Sequence, residues 1–277
     1  MSVAPKNEIQ KYLQTGDYDA DLTAWSEGGY FDRAGAELKN ALILEVKRRN
    51  QSTSSPTLIP ADPVTFTRNK VTPMVRGLFN RHEQEMLLGV LEHSVIFLTS
   101  TNICDVLQNI DWPYTRWVLA NLYLASIGAE LLGADAPQIV GLSEGPTCYV
   151  SMEYFHEDDK FADFVIHEVA HIFHNCKRYT VGLPEKRRCE WLLDIKYQKR
   201  ETFAYACEAY SRILELGNSL ASRKNLLGEL TSGPMPTDKR VDINEYLDIL
   251  REALEARNGW KCILARCAKF DDPTLLK

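Results

Sequence analysis

Two histidines, His167 and His171, stand four positions apart and enclose Glu168 in an H-E-x-x-H pattern. The surrounding segment has the apolar periodicity of a helix, and on a helix residues four apart share one face. Two imidazoles on one face can bind the same metal ion, and the adjacent carboxylate can accept a proton from a water on that metal. The pattern therefore predicts a catalytic zinc site in which Glu168 is the general base.

The predicted motif helix, which ends at about residue 176, has an apolar arc of about 180° that includes Phe161, Val165 and Val169. Its three histidines cluster on the opposite side, where no lysine or arginine occurs before residue 177. A helix of this kind is central to its domain, and its remaining face can form the wall of a metal-binding cleft. His174, one turn beyond the pair, has three open roles: a ligand, a hydrogen-bond partner of a ligand, or a substrate contact.

A catalytic zinc site needs a third protein ligand and leaves one position for water. No histidine follows His174 in the chain, so the third ligand is expected to be a carboxylate. Glu190, Glu201 and Glu208 all fall within about 20° of one another on a helix predicted over residues 186–216. Periodicity alone does not separate these three candidates.

The stretch Glu201-Thr-Phe-Ala-Tyr-Ala-Cys-Glu208 resembles the E-x-F-A-x-x-x-E stretch on the glutamate helix of gluzincin metallopeptidases such as the zinc aminopeptidases. It is also similar to the corresponding helix of ImmA/IrrE-type peptidases. The resemblance, which covers about residues 147–215, implies that Glu201 is the third ligand. The spacing usual in zinc aminopeptidases would instead select Glu190, whereas ImmA/IrrE-type sequences allow the longer interval to Glu201.

The resemblance implies a zincin-like core and a zinc metallopeptidase with one Zn²⁺ per chain, held by His167, His171 and Glu201. A peptide or protein substrate would lie along the predicted strand 147–155. A donor for the tetrahedral oxyanion is also needed. The candidates for that donor are Tyr205, Tyr179, Tyr210 and His174.

A rival hypothesis is a non-catalytic metal-binding or regulatory module on the same scaffold. The presence of Glu168 argues against it, because a purely structural metal site needs no general base. A closed site with His174 as a fourth ligand would argue for it.

The composition sets limits on partners and compartment. A net charge of −6 gives no general footprint for nucleic acid, although residues 177–200 hold a basic surplus that could attract an acidic partner. No apolar stretch is long enough for a membrane span, and the N-terminus has no apolar stretch behind a basic region that would indicate a signal peptide. Seven cysteines without regular spacing favour free thiols in a reducing compartment. The expectation is a cytoplasmic protein without a membrane or nucleic-acid partner; the oligomeric state stays open.

The predicted fold class is α+β, predominantly helical, with a small sheet. The predicted organisation is an N-terminal helical segment at 1–50, a Ser- and Pro-rich linker at 51–66, and a zincin-like metallopeptidase domain at 67–277. Helices are predicted at 7–50 with a break at Gly28-Gly29, and at 73–92, 101–109, 112–132, 186–216, 218–229, 242–257 and 259–268.

Overall fold

The computed structural model describes residues 3–19, 21, 23–25, 30–50, 60–185 and 189–269. Within these residues the chain forms eleven α-helices and a three-stranded sheet, which confirms the predicted α+β, mostly helical class. In chain order the elements are α1 (Val3–Thr15), α2 (Tyr30–Asn50), α3 (Pro63–Leu78), α4 (Arg81–Leu91), β1 (Val95–Phe97), α5 (Ile103–Asn109), α6 (Pro113–Ser126), β2 (Gly141–Glu144), β3 (Thr147–Val150), α7 (Phe164–Asn175), α8 (Arg200–Leu216), α9 (Leu220–Ser232), α10 (Ile243–Glu255) and α11 (Gly259–Cys267).

The chain divides into two compact units. The first takes its described residues from Met1–Leu58, Phe97–Val140 and Ser151–Phe155, and the second from Ile59–Ile96, Gly141–Val150 and His156–Lys277. Residues 51–59 of the predicted linker and the predicted break at 28–29 lie outside the described residues, while residues 63–66 form the first turn of α3. None of the helices among the described residues combines the length and the apolar character needed to cross a membrane.

The first unit is built on α1, α2, α5 and α6. Trp117 of α6 is buried, and its indole donates a hydrogen bond to the carbonyl of Leu13 at 2.9 Å. The hydroxyl of Tyr12 likewise donates to the carbonyl of Pro113 at 2.7 Å. These bonds fix the end of α1 on the start of α6.

The second unit is organised around α7, which packs between the hairpin of β2 and β3 and the helix α8. Asp163 caps the helix by accepting a hydrogen bond from the backbone N–H of Ile166 at 3.3 Å. The apolar side chains predicted from the periodicity are buried, and Phe173 packs edge-on against Phe79 with ring centroids 5.0 Å apart. Such an enclosed helix can hold polar side chains in fixed positions.

The sheet has the order β1-β3-β2, so β2 is an edge strand and β3 is the central one. β2 and β3 pair antiparallel with Glu144 opposite Thr147, which leaves Gly145 and Pro146 as a two-residue turn. Gly145 has a φ of +56°, as a turn with glycine at its first central position requires. The prediction of a strand over 147–155 is wrong after Val150, because a 3₁₀ helix runs over Met152–His156.

The helix predicted at 186–216 is wrong in its first half. α8 begins at Arg200, after a 3₁₀ turn at Tyr197–Lys199. The preceding residues are extended along the end of α7: the N–H groups of Leu192 and Leu193 donate to the carbonyls of Cys176 and Phe173, at 2.9 and 2.7 Å. These carbonyls lie at the end of a helix and lack intrahelical partners, so the extended segment satisfies them.

Candidate metal centre

Three side chains of the second unit, those of His167, His171 and Glu201, converge on one point. The two Nε2 atoms of the histidines lie 3.1 Å apart. Oε2 of Glu201 lies 3.7 Å from Nε2 of His167 and 3.5 Å from Nε2 of His171. The helix α7 thus supplies both imidazoles, and α8, packed across α7, supplies the carboxylate.

The three distances fit a small metal ion with nitrogen and oxygen ligands. Zinc bonds of about 2.0–2.1 Å in tetrahedral geometry place two ligand atoms roughly 3.3 Å apart. The observed separations of 3.1, 3.5 and 3.7 Å lie around that value. The donor set of two imidazoles and one carboxylate is also one that zinc prefers.

A hydrogen bond on the far side of His167 fixes the orientation of its ring. Its Nδ1 lies 2.9 Å from Oε2 of Glu208, while Oε1 of Glu208 accepts from the backbone N–H of Asp163 at 2.7 Å. A carboxylate can only accept here, so Nδ1 of His167 donates. In the neutral ring of His167 the lone pair is therefore on Nε2, which faces the cluster.

His171 is oriented by a chain of polar side chains on the opposite edge of its ring. Its Nδ1 lies 3.0 Å from Nε2 of His174, whose own Nδ1 lies 3.1 Å from Oδ1 of Asn175. Arg200 donates to the same Oδ1 at 3.3 Å, which identifies that atom as an acceptor. Protons then run from His171 to His174 to Asn175, and the lone pair of His171 also stays on Nε2.

His174 is thus not part of the converging cluster. It is 3% exposed, and burial lowers the pKa of its imidazole to about 3, so the ring is neutral. Of its three predicted roles, the geometry corresponds to that of a hydrogen-bond partner of His171.

Glu168 lies between the cluster and the edge strand β2. A Cβ placed on Gly141 would stand 2.7 Å from Cγ and 2.8 Å from Oε1 of Glu168, so the carboxylate rests directly against this glycine. Its side chain also forms a hydrogen bond with Ser143. Burial raises the pKa of Glu168, and the neighbouring His167 and His171 oppose that shift. The carboxylate is therefore enclosed next to both histidines.

The second oxygen of Glu201 contacts a cation that the sequence analysis missed. Nη2 of Arg240 lies 3.2 Å from Oε1 of Glu201 and 2.6 Å from Oδ2 of Asp238. Burial raises the pKa of Glu201, but hydrogen bonds to His167 and His171 outweigh it and hold the pKa well below its usual range. Glu201 is consequently ionised. Its Oε2 faces the two histidines, and its Oε1 faces Arg240.

Glu190, the competing ligand candidate, lies away from the cluster. Its side chain is 60% exposed and its Oε1 lies 2.5 Å from Nζ of Lys177. It precedes the helix α8 and lies on the extended segment, so the shared stripe predicted for the three glutamates does not exist. The remaining two, Glu201 and Glu208, do share a face of α8.

The four predicted oxyanion donors are separated by the structure. The ring of Tyr205 packs edge-on against His167 with centroids 4.6 Å apart, next to the cluster. Tyr210 is buried against Trp260, and Tyr179 is 57% exposed beside Lys177. Within the described part of the chain, Tyr205 is the only one of these three tyrosines that contacts a residue of the converging cluster.

Sequence reasoning gave Glu208 no role beside His167 and did not find Arg240. The spacing of seven between Glu201 and Glu208 was a usable signal, because residues seven apart lie on the same face of a helix. Arg240 comes from the connection between α9 and α10, where no periodicity or motif marks it.

The chain matches no protein-family model, no curated protein and no solved structure. Its function is therefore argued from the site itself.

Proposed function

We propose that the protein is a zinc-dependent metallopeptidase with a zincin-like core, in which His167, His171 and Glu201 bind one Zn²⁺. The observation that carries this proposal is the convergence of two Nε2 atoms and one carboxylate oxygen beside Glu168. The hydrogen bonds to Glu208 and His174 support it, because they keep both lone pairs directed at the same point.

Zinc bound there would act as a Lewis acid on the scissile carbonyl and lower the pKa of an attacking water to about 7. Glu168 accepts the proton of that water and passes it to the leaving amine. Its enclosed position against Gly141 holds the carboxylate in one place, which favours proton transfer along a fixed path.

The substrate in this proposal is an extended peptide that adds to the edge of the sheet. The resemblance implied that the strand at 147–155 would receive it, but β3 is the central strand. β2 is an edge strand, and its first residue, Gly141, touches Glu168. A peptide paired with β2 through main-chain hydrogen bonds would pass next to the general base. Tyr205, which packs against His167, is the proposed oxyanion donor.

The position of His174 weighs against the non-catalytic alternative. A closed structural site would need a fourth protein ligand, and Nε2 of His174 is instead engaged with Nδ1 of His171. The buried Glu168 would also have no function in a purely structural site. Both observations favour an open, catalytic centre.

The proposal is tested by comparing the wild type with Glu168→Gln for zinc content and for cleavage of a mixture of fluorescence-quenched peptides. We expect both proteins to retain zinc and the variant to lose cleavage by a factor of about 10² to 10⁴, since its amide cannot accept a proton. Glu229→Gln, a change at an exposed residue of α9 paired with Lys160, is the matched control and should keep full activity. Equal cleavage by wild type and Glu168→Gln would contradict the proposal.

A further inference from the structure

A second concave site lies beside the metal centre, at the end of α7 and the start of α8. It is a cavity of about 320 Å³ within the second unit, and His174 forms part of its wall. Trp191, Ile195 and Tyr197 supply apolar and aromatic surface. This volume is at the small end of the range of ligand-binding pockets, large enough for a ring with one polar group.

The charged lining of this cavity is mainly cationic. Among the described residues of the lining, Lys196, Arg200 and Lys269 are cationic and Asp194 carries a carboxylate. The first turn of α8, which begins at Arg200, adds the positive end of a helix dipole. The potential inside the cavity therefore favours an anion.

The described basic residues of the run at 177–200 fall into two groups. Lys177, Arg178 and Lys199 each form an ion pair with a glutamate. Lys196 and Arg200 have no carboxylate partner among the described residues, and these are the two that line the cavity. These two cations are therefore available to pair with a bound anion.

The guanidinium of Arg200 is only partly used by the protein. Nη1 donates to Oδ1 of Asn175, and Cζ lies over the ring of Tyr197, 5.4 Å from its centroid. Nε is buried without a hydrogen-bond partner among the described residues. A buried donor without a partner is unfavourable, and a small shift of the side chain toward a bound anion would give it a partner.

We propose that this cavity binds a small organic anion, with the apolar body against Trp191 and Tyr197 and a carboxylate or phosphate group between Lys196 and Arg200. The site differs from the metal centre, because it lies beyond His174, on the side of His171 opposite to the converging atoms. This inference does not depend on peptidase activity.

Isothermal titration calorimetry of the full chain, treated with a chelator so that no metal can bind the probe, tests the proposal. The probes are benzoate, phenyl phosphate and the neutral benzyl alcohol. We expect saturable one-to-one binding of benzoate or phenyl phosphate, and the tighter of the two identifies the preferred head group. Benzyl alcohol should bind at least about tenfold more weakly, since it lacks the charge.

Two variants locate the binding site. Arg200→Gln and Lys196→Ala should each weaken anion binding by about tenfold, as expected for one charged hydrogen bond. Arg251→Ala, at an exposed residue of α10 paired with Asp248, is the control and should bind like the wild type. Lys196 is exposed, so its variant carries the test if Arg200→Gln does not fold. The absence of saturable anion binding, equal binding of benzyl alcohol, or unchanged affinity in a folded Lys196→Ala would overturn the proposal.

Discussion

The imidazole of His167 is held by Glu208 at 2.9 Å on one edge and faces Glu201 at 3.7 Å from the other. Both glutamates come from α8, two turns apart, and both are largely buried. One carboxylate lies where a ligand is needed and the other fixes the proton on Nδ1. The carboxylate of Glu208 should therefore control how tightly His167, His171 and Glu201 bind a metal.

Replacement of Glu208 tests this relationship. Glu208→Ala should weaken zinc binding by about 10- to 100-fold, since His167 loses the acceptor that sets its tautomer and its basicity. Glu208→Gln keeps a carbonyl acceptor and should lose less. Zinc affinity is measured by competition with a chromophoric chelator, with circular dichroism as the check on folding. The same affinity in a folded Glu208→Ala would show that the contact has no positioning role.

Replacement of Arg240 should have a much smaller effect. Its side chain is 59% exposed, so its contact with Glu201 is screened by water. Arg240→Ala is expected to change zinc affinity by about fivefold or less. The same chelator competition measures it, and a loss as large as that of Glu208→Ala would mean that Arg240 holds Glu201 in place.

Gly141 offers a way to move Glu168 without replacing it. A Cβ at this position would stand 2.7 Å from Cγ of Glu168, so Gly141→Ala must displace the carboxylate. We expect peptide cleavage to fall by about 100-fold with zinc content unchanged, because a small misplacement of a catalytic group is sufficient for such a loss. Gly89→Ala in α4 is the matched control, since nothing lies within 4 Å of its added methyl group. Full cleavage by Gly141→Ala would place the base elsewhere.

Zinc binding should depend on pH through His167. Burial lowers the pKa of this imidazole, but its hydrogen bonds to Glu201 and Glu208 outweigh burial and raise the pKa to about 10. The metal-free protein therefore holds a proton on His167 at neutral pH, and a metal at Nε2 must displace it. Because the folded-state pKa is raised, protonation of this ring stabilises the metal-free fold. This stabilisation is complete below the ordinary imidazole pKa of about 6.5, and it is lost as the pH rises through about 10.

The expected result is release of about one proton per zinc and an affinity that rises about tenfold per pH unit between about pH 7 and pH 9. Calorimetry in buffers of different ionisation enthalpy measures the released proton. An affinity that is constant over this range would show that His167 is already neutral in the metal-free protein.

The local part of the site was predictable from sequence, and the long-range part was not. His167, Glu168 and His171 lie on one short helix, so their relation follows from helical spacing. The convergence of Glu201 with them depends on the packing of α8 across α7, which only the resemblance suggested. Arg240 reaches the site from a connection between helices, and nothing in its neighbourhood distinguishes it from other surface arginines.

Two features of the secondary structure were not predictable for the same reason, because they depend on contacts between distant parts of the chain. Residues 189–196 have helical periodicity but pair with the end of α7, because the carbonyls of Phe173 and Cys176 need donors. The strand β2, with the sequence Gly-Leu-Ser-Glu, lacks the β-branched and aromatic residues that mark strands, and its pairing with β3 forms it. In both cases tertiary hydrogen bonding overrides local preference.

In the proposed function, His167, His171 and Glu201 bind one zinc ion. Its most direct test is the metal content, by plasma mass spectrometry, of purified wild type, Glu201→Ala and Glu190→Ala, each checked for folding. We expect about one zinc per chain in the wild type and in Glu190→Ala, and loss of zinc in Glu201→Ala. Absence of zinc from folded wild type after zinc is added back, or its retention in folded Glu201→Ala, would contradict this ligand set.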